Sequence, residues 1–301
     1  MRIAVAATPA VAIPTLNALL QSEHELIYVI TRPDAPAGRG QAMQASPVAQ
    51  WGESNGVKVL KPDSTTSLSE VVMDLDLVIT IGYGTLIPLS VLQIPRYGFI
   101  NLHFSLLPRW RGAAPVQRAI EAGDGVTGVT VFALDAGMDT GPVYACAQIA
   151  LDPDATSAQL FEVLAELGIA PVLETLELIA SGQAPVAQGN EGATRAYKLS
   201  KEEGKISWSS SADEIKRKIN AFNPSPGAWS SFRGQVIKIN RVISSSEKVP
   251  AGALLLANKS IYIGTSTQAL ELIEVTPAGK STMPATSWAN GARITSDDVM
   301  L

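Results

Sequence analysis

The residues best suited to chemistry in this sequence are an amide, an imidazole and a carboxylate: Asn101, His103 and Asp139. Asn101 and His103 end an apolar run that predicts a buried strand over 98–104. Because side chains alternate across a strand, these two project from the same face. Asp139 follows later, in the turn-rich segment DAGMDTGP. The first question is therefore whether the three side chains form an active site.

The three side chains would suit a particular kind of chemistry. An Asn N–H can donate to a developing oxyanion, a His can share that oxyanion or move a proton near neutral pH, and an Asp can orient the His or relay a proton through water. No convincing nucleophile accompanies them. Ser105 lacks the nucleophile-elbow pattern, and Cys146 has no base nearby in sequence and is predicted to be a buried, small apolar residue. The set favours direct transfer between two bound substrates over a covalent intermediate.

Each residue taken alone also has an ordinary structural interpretation. An Asn at a strand end is often a turn former, a single His often packs in a core, and an Asp in a glycine-flanked turn is commonplace. Residue type and spacing alone leave both interpretations open.

Composition narrows the class of protein. With 301 residues, 46% hydrophobic and 17% charged, the chain is globular and long enough for two domains. No stretch approaches the roughly 18 apolar residues of a membrane span. One cysteine and two histidines exclude an internal disulfide, a cysteine-cluster metal site and a multi-histidine zinc site, so we expect no metal. The start MRIAVAATPA shows no export signal, and we expect a cytoplasmic protein.

The order of predicted elements indicates an α/β fold. A βαβ opening, further buried strands and one long helix over 155–180 predict a doubly wound, mostly parallel, Rossmann-like sheet. The first βα turn, AATPAVA, lacks the glycines of a dinucleotide fingerprint. Ligands of such sheets bind beyond the carboxyl ends of strands, which is where Asn101 and His103 fall.

In the last third of the chain the predicted elements change from alternating strands and helices to short strands joined by turns. Residues 185–204 are polar and glycine-rich and predict a linker, and the short strands with turns after it predict a small β-barrel of the OB type. We therefore expect a catalytic domain over 1–184 and a barrel over 205–301. The barrel holds 11 Lys and Arg against 7 Asp and Glu, whereas the whole chain holds 23 against 28. A basic domain suits a polyanion, although an excess this small is also ordinary surface variation.

Residues 31–50 form a Pro-, Gly- and Ala-rich stretch with two arginines and no periodicity. Structureless loops of this length are usually functional or disordered. We favour a mobile substrate-binding loop with Arg39, which lies between two glycines, at its tip.

The sequence N-L-H followed by S-L-L-P resembles the folate-dependent formyltransferases. Four further segments narrow the resemblance to members that act on initiator tRNA: RWRGAAPVQRAI, TGVTVFALDAGMDTGP, PAGRG followed by SPV, and KLSKEEGKISW with AFNPSPGAW. These segments span most of the chain and both predicted domains.

The resemblance implies that 10-formyltetrahydrofolate donates a formyl group to the α-amine of methionine on initiator tRNA, for translation initiation. By matching position, Asn101 and His103 would stabilise the tetrahedral oxyanion. Asp139 would keep His103 suitably charged and assist proton removal through water.

The resemblance also implies the binding residues. Those expected to bind folate are Ser105, Leu106, Leu107 and Pro108, with Tyr83, Gly84, Leu86, Ile87 and Pro88 around the pterin. Arg39, with Arg32 in the same loop, would engage the tRNA acceptor end, and the barrel would bear tRNA phosphates. In the family lysines often follow G-R-G, whereas Gln41 and Ala42 stand here, which bears on the strength and salt sensitivity of tRNA binding. We expect a monomer with no membrane partner.

Two alternatives remain. The chain could be a formyltransferase acting on a small amine, such as glycinamide ribonucleotide or an amino sugar nucleotide, but a small acceptor needs neither PAGRG nor the barrel. It could instead be a catalytically idle module that binds tRNA or folate, but such a module is expected to lose part of the triad, and all three members are present.

Overall fold

The computed structural model describes residues 1–37, 42–295 and 297–301. These residues form two compact units. Unit 1 comprises Met1–Gly112, Val126–Ile149 and Phe161–Ala196, and unit 2 comprises Ala113–Gly125, Ala150–Leu160 and Tyr197–Leu301. The predicted boundaries at 184 and 205 remain a prediction.

The strands of unit 1 are, in chain order, β1 (Arg2–Ala7), β2 (Glu25–Ile30), β3 (Ala35–Ala37), β4 (Ala42–Gln44), β5 (Lys58–Leu60), β6 (Leu77–Ile81), β7 (Phe99–His103), β8 (Arg111–Gly112), β9 (Val126–Ala133), β10 (Val143–Ala150) and β11 (Arg195–Ala196). The helices of the whole chain are α1 (Ile13–Leu20), α2 (Pro47–Ser54), α3 (Thr65–Val72), α4 (Leu89–Leu92), α5 (Pro115–Ala122), α6 (Ser157–Leu167), α7 (Ile169–Ala180), α8 (Ala212–Phe222) and α9 (Ala285–Ala292). A 3-10 turn, Ala10–Ala12, precedes α1. No helix within the described ranges is both long and apolar enough to cross a membrane.

Unit 1 is built on a seven-stranded sheet in the order β10-β9-β7-β6-β1-β2-β5. The pairs β1–β2, β1–β6, β2–β5 and β6–β7 are parallel, and β7–β9 is antiparallel. The chain first runs outward from β1 to β5 and then returns to the other side of β1 with β6, so the strand order reverses there. The central strands β1 and β6 are buried almost throughout, which explains their near-continuous apolar sequences. The predicted mostly parallel, doubly wound sheet is confirmed.

The long helix predicted over 155–180 is wrong, because the structure contains two helices, α6 and α7, separated at Gly168. Pro171, in the first turn of α7, has no N–H to donate to the carbonyl four residues earlier, so one continuous helix would lose a bond there. Gly168 itself packs closely on Leu102: a Cβ at this glycine would lie 2.6 Å from Leu102 Cδ2.

The stretch 31–50 is more regular than its composition predicts. Strand β3 pairs antiparallel with β4, and Ser46 Oγ accepts a hydrogen bond of 3.0 Å from Ala49 N to cap α2. Ser-Pro is a recognisable helix start, with the cap at Ser46 and proline at the first helical position. Arg39, together with residues 38–41, lies outside the described residues.

The first part of the predicted linker 185–204, up to Ala196, also pairs with the rest of unit 1. Strand β11 runs parallel to β8, and Val186 forms a bridge with Val143. The composition predicts only a connection in this segment, whereas its backbone pairs with strands at Val186 and at Arg195–Ala196.

Cys146, predicted to be buried, is exposed. Its strand, β10, ends the order of the sheet, and its burial alternates along the second half of the strand. An edge strand with one solvated face places every second side chain in water.

Unit 2 contains an antiparallel sheet of β12 (Trp229–Phe232), β13 (Gln235–Ser244), β14 (Leu254–Ala257), β15 (Ser260–Ile263), β16 (Leu270–Pro277) and β17 (Met283–Pro284). The order is β12-β13-β16-β15-β14, with β17 beside β16, and Met300 and Val299 pair with Phe232 and Ala253 near its two ends. A capping box between Ser211 and Glu214 starts α8. A small C-terminal β domain is confirmed, and its assignment to the OB type stays a prediction.

Gly128 in β9 provides a test of the sheet packing. A Cβ at this position would overlap the carbonyl oxygen of Ala147 and lie 2.8 Å from Leu106 Cδ2. Because backbone cannot give way as a side-chain tip can, Gly128→Ala should lower the free energy of unfolding by about 2–3 kcal/mol or more. Gly125→Ala, where nothing lies within 4 Å of the added atom, is the matched control and should change it by about 0.5 kcal/mol or less. Urea denaturation of both variants measures the difference, and equal stabilities would contradict the packing of β9 on β10.

Candidate active site

Strand β7 carries Asn101 and His103 to its carboxyl end. Asn101 is opposite Thr80 of β6 in parallel register, and His103 is opposite Thr130 of β9 in antiparallel register. The two side chains lie two residues apart and therefore on one face of the sheet. This edge, near the point where the strand order reverses, is where sheets of this kind bind ligands.

Thr80 orients the amide of Asn101. Its buried hydroxyl donates to Asn101 Oδ1 at 2.8 Å and also lies 3.0 Å from the carbonyl oxygen of Ile100. With Oδ1 engaged in this way, the Nδ2 hydrogens of Asn101 remain for a ligand oxygen. Thr80 is not among the residues predicted from the sequence, although a polar residue inside the otherwise apolar strand LVITI is a signal for it.

His103 is buried, with 6% of its surface exposed. Its Nε2 lies 2.9 Å from the carbonyl oxygen of Trp110, and since a carbonyl only accepts, Nε2 carries the hydrogen. The other ring nitrogen, Nδ1, faces Asp139 Oδ2 at 3.8 Å. That separation is too long for a direct hydrogen bond, so the carboxylate acts on the ring through its charge.

The pKa of His103 is lowered from its ordinary value of 6.5. Burial is the largest cause, because it disfavours the charged ring, while the Asp139 carboxylate and the Trp110 carbonyl act in the opposite direction. Burial therefore favours a neutral imidazole, with its hydrogen on Nε2.

Asp139 is held from two sides. Its Oδ2 accepts a hydrogen bond of 2.7 Å from Gly112 N, and its backbone has a φ of 55°, a left-handed conformation that is uncommon outside glycine. Asp135 organises the preceding turn by accepting from Gly137 N at 2.9 Å and from Thr140 Oγ1 at 2.8 Å. The segment DAGMDTGP is thus a structured support for one carboxylate.

The supposed linker contributes further residues that sequence reasoning missed. Gln188 Oε1 accepts two bonds from the buried Arg111, at 3.1 and 2.8 Å, and Thr194 Oγ1 accepts from Trp110 N at 2.9 Å. Gln188 Nε2 donates to the carbonyl oxygens of Asp139 and Gly141. These contacts join segments about fifty to eighty residues apart, so no local pattern could have revealed them.

Ser105 has a structural role. The residue is only 1% exposed, and its hydroxyl donates to the Arg109 carbonyl at 2.7 Å. Thr130 Oγ1 donates to the Ser105 carbonyl at 2.7 Å. Thr130 Oγ1 also accepts from Leu107 N at 3.1 Å. The segment Ser105–Pro108 is anchored to β9, and its half-buried members are Leu106, Leu107 and Pro108.

The second predicted folate segment follows β6. Tyr83 and Ile87 are buried, whereas the exposed members are Gly84, Leu86 and Pro88. Thr8 Oγ1 donates to the Tyr83 carbonyl at 3.2 Å. Burial raises the pKa of the Tyr83 hydroxyl, and the nearby Arg32 opposes that rise. The exposed Arg32 therefore lies beside this segment, at the same edge of the sheet as Asn101.

In the residues that the structure describes, no three His, Cys, Asp or Glu side chains come together as a metal site requires.

Comparison with known proteins identifies the class first. Residues 1–176 match the formyl transferase family, and residues 198–293 match the formyl transferase C-terminal domain. Together the two matches cover most of the chain.

Individual relatives identify the family within this class more narrowly. The chain is 44% identical to the methionyl-tRNA formyltransferase of Thermobifida fusca over 98% of its length and 97% of that protein. It is 41% identical to that of Salinispora tropica over the full length of both. The chain therefore belongs to the methionyl-tRNA formyltransferase family of formyl transferases. Its fold is similar to that of HypX from Aquifex aeolicus, solved in complex with tetrahydrofolic acid, with a TM-score of 0.70 and 21% identity over 96% of this chain and 47% of that one.

The environment of His103 predicts its titration. We expect a pKa below 6.5 in the folded protein and a still lower one in Asp139→Asn, because that change removes the carboxylate that favours the charged ring. NMR titration measures this directly, since the chain has only two histidines and His24→Gln assigns the other. A rise of the His103 pKa in Asp139→Asn would contradict the arrangement.

The lowered pKa of His103 also makes the stability of the folded protein depend on pH. A histidine whose pKa is lowered by folding is neutral in both states well above pH 6.5 and contributes nothing there. As the pH falls below that value, the unfolded chain takes up the proton first, so His103 destabilises the folded state.

Proposed function

We propose that the protein transfers the formyl group of 10-formyltetrahydrofolate to the α-amine of methionyl initiator tRNA, with Asn101, His103 and Asp139 as its catalytic residues. Family membership over the full chain supports the reaction. The observation that carries the site is the convergence of a Thr80-oriented amide, a buried imidazole and a supported carboxylate at one edge of the sheet. We further propose that the enzyme works as a cytoplasmic monomer, since initiator tRNA is the acceptor.

The reaction forms one C–N bond and breaks another. The amine attacks the formyl carbon, the carbonyl oxygen becomes an oxyanion, and collapse releases N10 of tetrahydrofolate, which takes up the proton that the amine loses. The Nδ2 of Asn101 donates to the oxyanion, and a donor of this kind is typically worth about 3–4 kcal/mol of barrier.

His103 supports the oxyanion through Nδ1. Because Nε2–H is engaged by the Trp110 carbonyl, a second donor requires the charged ring. The growing negative charge on the formyl oxygen and the Asp139 carboxylate both favour that form, against the effect of burial. Nδ1 lies 3.8 Å from Asp139 Oδ2. The amine proton supplies the second ring hydrogen: it passes through water to Nδ1, assisted by Asp139, and then to N10 of the leaving tetrahydrofolate.

The folate residues fit a flat, partly polar co-substrate. The half-buried segment Leu106–Pro108 and the exposed segment residues Gly84, Leu86 and Pro88 follow the neighbouring strands β7 and β6. The exposed Leu86 offers an apolar contact, with 83% of its surface accessible. HypX, a protein of the same fold, was solved in complex with tetrahydrofolic acid, which supports folate as the co-substrate.

Arg32 and Arg39 are proposed to contact the tRNA. Arg32 lies beside Tyr83 at the active-site edge, and Arg39 falls between β3 and β4 in sequence. The mildly basic C-terminal domain would add phosphate contacts.

The catalytic assignment predicts a loss of turnover. Asn101→Ala or His103→Ala should lower kcat about a hundredfold or more while folate affinity stays nearly unchanged, because the lost interaction is made in the transition state. Steady-state formylation of methionyl initiator tRNA gives kcat, and calorimetry gives folate affinity. Asn190→Ala, an exposed position, and His24→Ala are matched controls. Near-normal turnover in the first pair would refute the site, and wild-type activity on glycinamide ribonucleotide in place of tRNA would favour the small-amine alternative.

The loop assignment predicts an effect on tRNA alone. Arg39→Ala should raise KM for tRNA without changing kcat, and should reduce the slope of log KM against log salt by about 1 if the side chain contacts one phosphate. Arg2→Ala, at the amino end of β1 and thus at the opposite edge of the sheet, is the control. An unchanged KM and salt slope would show that the loop does not engage tRNA.

A further inference from the structure

We propose that Gln188 is a positioning residue for catalysis: its side-chain amide ties the buried Arg111 to the 139–141 turn and thereby sets the separation of Asp139 from His103. This inference rests on the proposed function, because Gln188 would act through Asp139. It assigns a catalytic purpose to a segment whose composition predicted only a linker.

The amide of Gln188 is fully used. Its Oε1 accepts from Arg111 Nε at 3.1 Å and from Arg111 Nη2 at 2.8 Å. Its Nε2 donates to the Asp139 carbonyl at 3.1 Å and to the Gly141 carbonyl at 2.6 Å. An amide oxygen has two lone pairs and an amide nitrogen has two hydrogens, so all four bonding positions are occupied by protein. A side chain with both ends satisfied in this way has one orientation.

Arg111 provides a firm anchor for this bridge. It is buried, with 8% of its surface exposed, and its Nη2 also donates to the Gly189 carbonyl at 3.3 Å. Its backbone belongs to β8, which pairs with β11, and Arg111 N donates to the Thr194 carbonyl at 3.0 Å. Movement of Arg111 would therefore disturb several hydrogen bonds at once.

The neighbours of Arg111 hold the two catalytic side chains. Trp110 accepts from His103 through its carbonyl, and Gly112 donates to the Asp139 carboxylate through its N–H. Gln188 connects these two points, because its side chain binds Arg111 through the amide oxygen and the backbone of Asp139 through the amide nitrogen. Residues 111–112, Gln188 and Asp139 form one hydrogen-bonded ring, and His103 is attached to it through the Trp110 carbonyl.

Asp139 needs such support. Its φ of 55° is a conformation that a non-glycine residue keeps only when its surroundings hold it there. The two bonds from Gln188 fall on the carbonyls of Asp139 and Gly141, which flank this conformation on its carboxyl side. Without them the turn is free to relax and to carry the carboxylate away from Nδ1.

Two substitutions separate positioning from simple structural support. Gln188→Glu keeps an acceptor for Arg111 but replaces the donor with an oxygen that faces two carbonyl oxygens. Gln188→Met removes all four bonds. If Gln188 positions Asp139, both variants should lose about ten- to a hundredfold in kcat, the cost typical of a misplacement near 1 Å, with KM for folate and tRNA within about twofold of wild type. If Gln188 only anchors Arg111, Gln188→Glu should keep normal kcat and only Gln188→Met should be impaired. Gln183→Glu, at an exposed position five residues earlier in the chain, controls for the added charge.

A double-mutant cycle identifies the partner. In an Asp139→Asn background, adding Gln188→Glu should change kcat by less than about twofold, because the group that Gln188 positions is already gone. A further drop equal to that in wild type would overturn the inference.

A structural readout separates this inference from the proposed function. Asp139 is the charged group that faces His103, so its displacement in Gln188→Met should lower the His103 pKa measured by NMR, whatever the reaction. If wild type fails to formylate methionyl initiator tRNA, the proposed function is wrong and this titration alone decides the role of Gln188. An unchanged His103 pKa would show that Asp139 had not moved.

Discussion

The candidate site depends on three consecutive residues, Trp110, Arg111 and Gly112, that present alternating backbone groups. The Trp110 carbonyl accepts from His103 Nε2, and the Gly112 N–H donates to Asp139 Oδ2. One short segment thus fixes the ring and the carboxylate relative to each other, although these come from strands and turns 36 residues apart in sequence. The segment is itself held by pairing with residues 194–196. Backbone groups suit this task because their positions are set by the chain and cost no side-chain entropy.

The parallel sheet supplies the second constraint. Strands β6 and β7 are neighbours in parallel register, so their carboxyl ends, with Thr80 and Asn101, lie at the same edge. The hydrogen bond between these two side chains orients the amide within the sheet rather than in a loop. The amide proposed as the oxyanion donor therefore sits on a rigid element, whereas the residues proposed to bind folate and tRNA lie in the segments that follow the strands. In such folds the groups that need precise positions usually lie on the rigid scaffold, and the groups that recognise substrates lie in the loops.

The sequence predicted the parts of this arrangement that obey local periodicity. The two-residue alternation placed Asn101 and His103 on one face, and the apolar runs located the sheet strands. Prediction from the sequence fails where contacts between distant segments determine the structure. The break at Gly168 follows from packing on Leu102 together with Pro171, and Gln188 was assigned to a linker because its partners, Arg111 and Asp139, are far away in the chain. The role of Thr80 is predictable from the sequence, because a hydroxyl inside a buried strand needs a hydrogen-bond partner.

The burial of His103 determines how strongly the site can stabilise a developing negative charge. Burial lowers the pKa of the ring, so the resting site holds a neutral imidazole, and the Asp139 carboxylate, 3.8 Å away, has no full partner on that ring. In the proposed mechanism an oxyanion forms nearby, and a protonated ring would attract both this oxyanion and the Asp139 carboxylate. The low-dielectric surroundings that disfavour the isolated charge would strengthen both attractions. The stabilisation is then greatest when charge develops and smallest in the resting state. This difference between the two states, rather than tight binding of either substrate, is what lowers a barrier.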